Sequence, residues 1–255
     1  MSLLKSKKSI YPHRDPAGDT IRGINEMRGE VKMKIGAITV GQSPRTDVTA
    51  DIMGIFNGKA EILERGGLDG LTREQIQKFT PKEGDYVLVS RLNDGTSVTF
   101  AERHIIPRLQ QAIQELEEQG TAFIMMFCTG KFPDTLKAKV PLIYPCEILD
   151  RVVPLLTAAS SILVVTPSPL QITQSEEKWS RIVEQVSVTA CSPYGEWKEL
   201  EEAASLVRDT KADLVVLDCI GFSQEMKQLF AKETGKPVIL PRTLLARLVS
   251  ELTDV

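Results

Sequence analysis

A chain of 255 residues with 42% apolar, 25% charged and 5% aromatic residues can build one or two globular domains with aliphatic cores, which excludes a wholly disordered polymer. Its formal charge of −3 comes without a dense basic stripe interleaved with aromatics, so a small-molecule partner is expected and a nucleic-acid partner is not. The most apolar stretches, 154–167 and 122–128, are shorter than the roughly 20 residues that cross a bilayer, so no membrane partner is expected.

Residues 1–33 are polar, carry Lys5, Lys7, Lys8, Arg14 and Arg22, and lack the apolar core of a signal peptide. They are expected to form a disordered N-terminal extension, after which Met33-Lys34-Ile35-Gly36 enters the first strand. Runs rich in Val and Ile then predict strands near 35–40, 61–65, 85–90, 122–127, 142–144, 161–166, 187–190, 213–218 and 237–240. Helical patterns fall near 45–56, 72–79, 101–119, 146–157, 171–184, 196–209, 223–233 and 242–252, an alternation that predicts an α/β fold with mostly parallel sheets. The turn Asn93-Asp94-Gly95 departs from it and predicts an antiparallel hairpin, with His104 opening the next helix and Pro107 in its first turns.

Two stretches share one order of punctuation. FIMMFCTGKF precedes PLIYP and EILDRVV, and LVVLDCIGFS precedes PVILP and TLLARLV. In each, an apolar strand ends at Cys-x-Gly, followed by a short helix, a Pro-bounded strand and an amphipathic helix carrying Arg151 or Arg247. The starts correspond loosely as well, Ile38 to Pro44 with Val164 to Pro169, each a strand entering a helix through Ser-Pro. Two related α/β domains follow, 34–157 and 158–240, with the helix over 241–255 packing back onto the first.

Ligands of open parallel sheets bind beyond the carboxyl ends of strands, where Cys128 and Cys219 fall. Gly130 and Gly221 are expected to let the backbone approach a carboxylate, and the turn N–H groups are expected to lower the thiol pKa values from about 8.5 toward neutrality. If the halves face each other, one sulfur removes a proton and the other supplies one, with N–H donors stabilising the developing charge and neither metal nor cofactor required. Against this stands the ordinary role of a free cysteine as a small apolar filler. Four cysteines without CxxC spacing fit reduced thiols in the cytoplasm.

Thr39, Gln42, Ser43 and Arg45 after the first strand, with Thr166 and Ser168 in the second half, are candidate carboxylate ligands. The competing reading is a helix cap at Ser43 with Pro44 at the first helical position. Asp94 and Arg91 flank the hairpin turn, Asp218 reads as structural, and Cys146 lacks a cysteine partner because its repeat equivalent is Arg242. Cys191 reads as incidental, Trp179 and Trp197 read as core or interface anchors, and His13 and His104 support no metal site. GGLDG at 66–70 lacks a Walker lysine and reads as a turn.

From Lys34 to Val255 the chain resembles the AroM family of the aspartate/glutamate racemase superfamily, through ITVGQSPRTDV at 38–48, VLVSRLNDG at 87–95 and LDCIGFSQ at 217–224. The resemblance implies two pseudo-symmetric three-layer α/β/α domains, an Asp/Glu racemase-like fold, and in the superfamily's enzymes cofactor-independent racemisation or isomerisation by paired cysteines. It places those roles on Cys128 and Cys219, and the hairpin loop close to the cleft entrance. The racemases present Cys-Asn-Thr and Cys-Thr where this chain has Cys128-Thr129-Gly130 and Cys219-Ile220-Gly221. Ile220 cannot donate a hydrogen bond, so either backbone N–H groups suffice or the ligand is neither aspartate nor glutamate. Two functions remain open: a racemase or isomerase of a small carboxylic acid, and a non-catalytic small-acid-binding or regulatory protein associated with aromatic amino-acid biosynthesis. A homodimer is compatible with both.

Overall fold

The structure, a computed structural model, describes residues 32–156 and 161–253. The bulk of the expected extension, with His13, and the expected boundary near residue 158 lie outside the described residues. The described residues from Met33 onward belong to one compact unit. Its scaffold is two four-stranded parallel sheets. The first contains β1 (Met33–Thr39), β2 (Ala60–Gly66), β5 (Phe123–Phe127) and β6 (Leu142–Ile143) in the order β2-β1-β5-β6. The second contains β7 (Ser161–Thr166), β8 (Gln185–Ala190), β9 (Leu214–Leu217) and β10 (Val238–Ile239) in the order β8-β7-β9-β10. Strand for strand these orders are the same, so the repeated punctuation marks a repeated topology. FIMMF of β5 and LVVL of β9 are buried throughout, the pattern of strands covered on both faces.

The helices are α1 (Thr46–Ile52), α2 (Arg73–Gln77), α3 (Ile106–Glu118), α4 (Pro145–Leu156), α5 (Ile172–Trp179), α6 (Trp197–Leu206), α7 (Gln224–Thr234) and α8 (Pro241–Ser250). In α3, Leu109, Ala112, Ile113 and Leu116 recur at helical spacing and meet Ile38, Ile124 and Met126 of the first sheet. The opposite face of that sheet meets α1 and α8, through Val48 and Ile52 and through Leu245, Ala246 and Val249. The second sheet is covered by α6 and α7 on one face, through Leu200, Ala204 and Phe230. On its other face lie α4 and α5, where Leu149, Val153 and Trp179 pack on Ile162, Val164 and Val216.

Each half therefore lends its last helix to the other. The sequence assigns α4 to the first domain, but its buried face lies on the second sheet, and α8 covers the first. Each fully buried aliphatic side chain in this exchange contributes about 1.5–3 kcal/mol, which joins the two sheets into one unit.

The hairpin forms as expected from β3 (Val87–Arg91) and β4 (Ser97–Ala101), antiparallel with Val87 opposite Ala101. Gly95 closes the turn at φ +90°, in the region that favours glycine. Other local expectations are corrected. His104 lies in a 3₁₀ turn, Glu102–His104, before α3 begins. The pattern over 45–56 divides into α1 and a 3₁₀ turn, Met53–Phe56. The short helix expected after Cys128 is missing, since 131–140 holds no helix, whereas α7 follows Cys219 with Ser223 capping and Gly235 closing it at φ +64°. Trp197 is 43% exposed, its indole N–H donating to Glu201, so it is no core anchor.

Candidate active site

In each sheet the strand order reverses between the first strand of the half and the strand that leads to a cysteine, and a crevice opens at the carboxyl ends there. Cys128 directly follows β5, and Cys219 stands two residues beyond β9. Both border one cavity of about 20 Å³, together with Thr129, Gly130, Asp218 and Ile220. Leu88, Val89 and Ser90 of β3 supply another wall.

The two turns are alike at atomic level. The Gly130 N–H donates to Cys128 Sγ at 3.4 Å, and the Gly221 N–H donates to Cys219 Sγ at 3.4 Å. Both residues are buried, and burial pushes both thiols well above their ordinary pKa, with the glycine N–H groups pulling only part of the way back. This corrects the expectation of thiols lowered toward neutrality, because loss of water outweighs the turn dipoles. The surroundings nonetheless differ. Arg45 and the Tyr194 hydroxyl, whose oxygen is 4.0 Å from Cys219 Sγ, favour that thiolate, Asp218 disfavours both, and Cys219 and Cys146 disfavour a charge on Cys128.

Gly130 borders the cavity, whereas Gly221 does not line it and packs against Tyr194 and Pro193. A Cβ at Gly221 would meet the Tyr194 hydroxyl, with Tyr194 Cζ at 2.6 Å and Pro193 Cγ at 2.8 Å, and one at Gly130 would meet Leu88 Cδ2 at 2.9 Å. Gly221→Ala is therefore expected to destabilise the fold by about 1–3 kcal/mol, because a ring and a proline cannot yield. Gly130→Ala costs clearly less, since the end of a leucine can rotate. Urea unfolding of both variants checks this, and equal losses would contradict the packing argument.

The carboxylate-binding cluster expected after β1 is largely occupied by internal partners. Ser43 is no helix cap: its N–H and hydroxyl both donate to Asp69, at 2.7 and 2.6 Å, and α1 begins only at Thr46. Gln42 accepts from the Asn93 N–H, which ties the strand end to the hairpin turn. Thr39 accepts from Gly41 N–H and, at 3.4 Å, from Arg45. Arg45 forms a two-pronged pair with Asp47 at 2.8 and 2.7 Å, donates to the Tyr194 hydroxyl at 3.3 Å and lies over that ring. At the hairpin, Arg91 approaches Asp47 at 4.0 Å and Asp94 pairs with Arg73. None of these side chains lines the cysteine cavity, and neither does Ser168, which caps a 3₁₀ turn through Leu170 N–H.

Ile220 lines the cavity and also packs with Ile35, Ala37 and Val48 of the first half, an apolar contact that accounts for the missing hydroxyl. The Thr129 hydroxyl instead reaches across to the Asp218 carbonyl at 3.0 Å. Asp218 is buried, paired with Lys178 at 2.9 Å, and accepts from the Trp179 indole at 2.7 Å. A second cavity of about 30 Å³ shares Thr129, Gly130, Gln171 and Asp218 with the first and adds Thr166, Ser175 and Lys178. Ser175 is 5% exposed, and its hydroxyl has no partner among the described residues.

Lys178, Ser175, Tyr86 and Tyr194 escaped the sequence reading. The first two had a readable signal: Gln171, Gln174, Ser175 and Lys178 recur at helical spacing, an inward polar stripe where an apolar one would be usual. Tyr194 stands just past β8, a strand end like those of the cysteines. Cys146 is buried and pushed up to about 11, mainly by burial, and Cys191 does not line the cysteine cavity, its thiol lying 3.9 Å from the Glu199 carbonyl. Among the described residues no group of three or more His, Cys, Asp or Glu could hold a metal ion, and no helix is long and apolar enough to cross a membrane.

Among solved structures, the chain is similar to allantoin racemase from Klebsiella pneumoniae, at 16% identity over 87% of each chain and a TM-score of 0.60. The maleate isomerase Iso from Pseudomonas putida S16 gives 14% identity, 88% of this chain, 93% of that one and a TM-score of 0.60. Glutamate racemase from Aquifex pyrophilus gives 15%, 86%, 84% and 0.56. These likenesses establish the fold of the Asp/Glu racemases. A search of curated proteins finds no match by sequence. The family model described as AroM protein matches residues 35–253, and the chain belongs to the AroM family.

Proposed function

We propose that this protein is a cofactor-independent racemase or isomerase of a small carboxylic acid, with Cys128 and Cys219 exchanging protons at opposite faces of one carbon. The observation that carries this reading is the pair of topologically equivalent thiols bordering one cavity, each held by the N–H of a glycine two residues on. Arg45 and Tyr194 stand on the Cys219 side, so Cys219 is the base and Cys128 the acid in the favoured direction. The C–H bond breaks as Cys219 gains the proton, the electron pair passes into the adjacent carboxylate, and the Cys128 proton is delivered to the other face. The carboxylate lies along the wall formed by Thr166, Ser175 and Lys178, where the free Ser175 hydroxyl supplies a donor.

A cavity of about 20 Å³ holds roughly one water-sized group, so admission of an acid widens it. Racemases and an isomerase among the similar structures support the reaction class, since this fold already serves such chemistry in them. The experiment is incubation of the purified protein with a panel of small carboxylic acids in deuterated water, following loss of the α-proton signal by NMR. Exchange with at least one acid is expected. Saturable binding of an acid without exchange would overturn turnover and leave a small-acid-binding protein.

A further inference from the structure

The carbonyl beside each cysteine turn is held by a buried cation. Lys178 Nζ donates to the Thr129 carbonyl at 3.2 Å, and Arg242 Nε donates to the Ile220 carbonyl at 2.9 Å. Thr129 C=O and Gly130 N–H belong to one peptide group, as do Ile220 C=O and Gly221 N–H, and those N–H groups are the ones that donate to the two sulfurs. A cation at the oxygen of an amide draws electron density from its nitrogen and makes the N–H a stronger donor. The cations come from non-equivalent places, Lys178 from the end of α5 and Arg242 from the start of α8. Each carries its own counter-ion, Asp218 at 2.9 Å and Asp51 at 2.9 Å. An uncharged donor would satisfy a turn carbonyl without the several kcal/mol that desolvating an ion costs.

We infer that Lys178 and Arg242 are positioning residues that act through these two peptide groups, Lys178 on Cys128 and Arg242 on Cys219, to stabilise thiolate. The inference gives the proposed proton transfer its thiolates, and it is tested on the thiols alone, without substrate. Other titratable groups facing Cys128 are Cys219, Cys146, Asp218 and Tyr86, and those facing Cys219 are Arg45, Tyr194, Cys128 and Asp218.

The test is methyl methanethiosulfonate labelling across pH, with the rate at each cysteine read by peptide mass spectrometry on the full chain. Thiolate is the reacting form, so at a pH below both pKa values the rate ratio of Cys128 to Cys219 reports their relative ionisation. In Lys178→Met/Asp218→Asn that ratio falls by about tenfold, one pKa unit, and in Arg242→Met it rises by about tenfold. Loss of Asp218 acts on both thiols, and their ratio removes its common part. Lys178→Arg and Arg242→Lys retain the charge and keep the ratio near that of the unmodified protein. Should a variant fail to fold, Lys178→Gln and Arg242→Gln keep an N–H donor while removing the charge, and they are expected to move the ratio in the same opposite directions. Unchanged ratios in folded variants overturn the inference. So does parallel acceleration of Cys128, Cys219 and Cys191, which borders neither cavity, the signature of simple loosening. Exchange of an acid in deuterated water with unmoved ratios would sink the relay and leave the proposed reaction standing, whereas moved ratios without any exchange would do the reverse.

Discussion

Cys128→Ala and Cys219→Ala are each expected to lower inversion of an accepted acid by about 10³-fold, within the 10²–10⁴ range of a lost general acid or base. Each thiol belongs to one turn and serves one face, so neither can replace the other. Polarimetry with both enantiomers, alongside deuterium uptake, tests this. The pH profile adds a sign. Burial raises both thiols, so on the acid side of the Cys219 pKa the thiolate fraction, and with it the rate, climbs with pH by up to about tenfold per unit. A falling limb appears only where Cys128 loses its proton, and its burial and acidic neighbours push that point far to the alkaline side. A bell centred on neutrality, or an alanine variant that inverts the acid at the normal rate, would contradict the assignment.

Much of the scaffold was legible because parallel strands covered on both faces must be apolar throughout, and FIMMF, ILVV and LVVL can be little else. The repeat was legible because turn residues are dictated locally: the Cys-x-Gly ends build the same N–H-to-sulfur turn twice, whereas the two Ser-Pro entries take different courses, Ser43 bonding Asp69 and Ser168 capping a 3₁₀ turn. Which helix covers which sheet was not readable. Leu149 and Val153 form an apolar stripe that fits either sheet, and only the three-dimensional exchange decides. The electrostatics of the site resisted for a related reason. Strand-end N–H groups argue for lowered thiols, but the opposing cost depends on Leu88, Val89 and Tyr194, which come from distant segments to exclude water. Asp218 reads as structural in the sequence, and its pairing with Lys178, forty residues earlier, had no local signature.

Lys178→Met is expected to cost about 3–5 kcal/mol of unfolding free energy, because it leaves the Asp218 carboxylate buried without its cation. Both side chains are 7% exposed, so water cannot replace the partner. Lys178→Met/Asp218→Asn is expected to regain most of that loss, since a neutral amide still accepts from the Trp179 indole. Lys131→Met breaks a pair with Asp150 of similar length, 3.2 Å, but Lys131 is 48% exposed, and the expected loss there is under about 1 kcal/mol. Urea unfolding of the three variants separates burial from distance as the determinant. A double variant no more stable than Lys178→Met would show that the strength of this site lies in packing. The location matters for function as well: Lys178 holds Asp218 of its own half and the Thr129 carbonyl of the other, so the ion pair fixes the Cys128 turn against the Cys219 strand end. A loss confined to the single variant would therefore show that the two thiol turns are held in register by charge balance across the boundary between the halves.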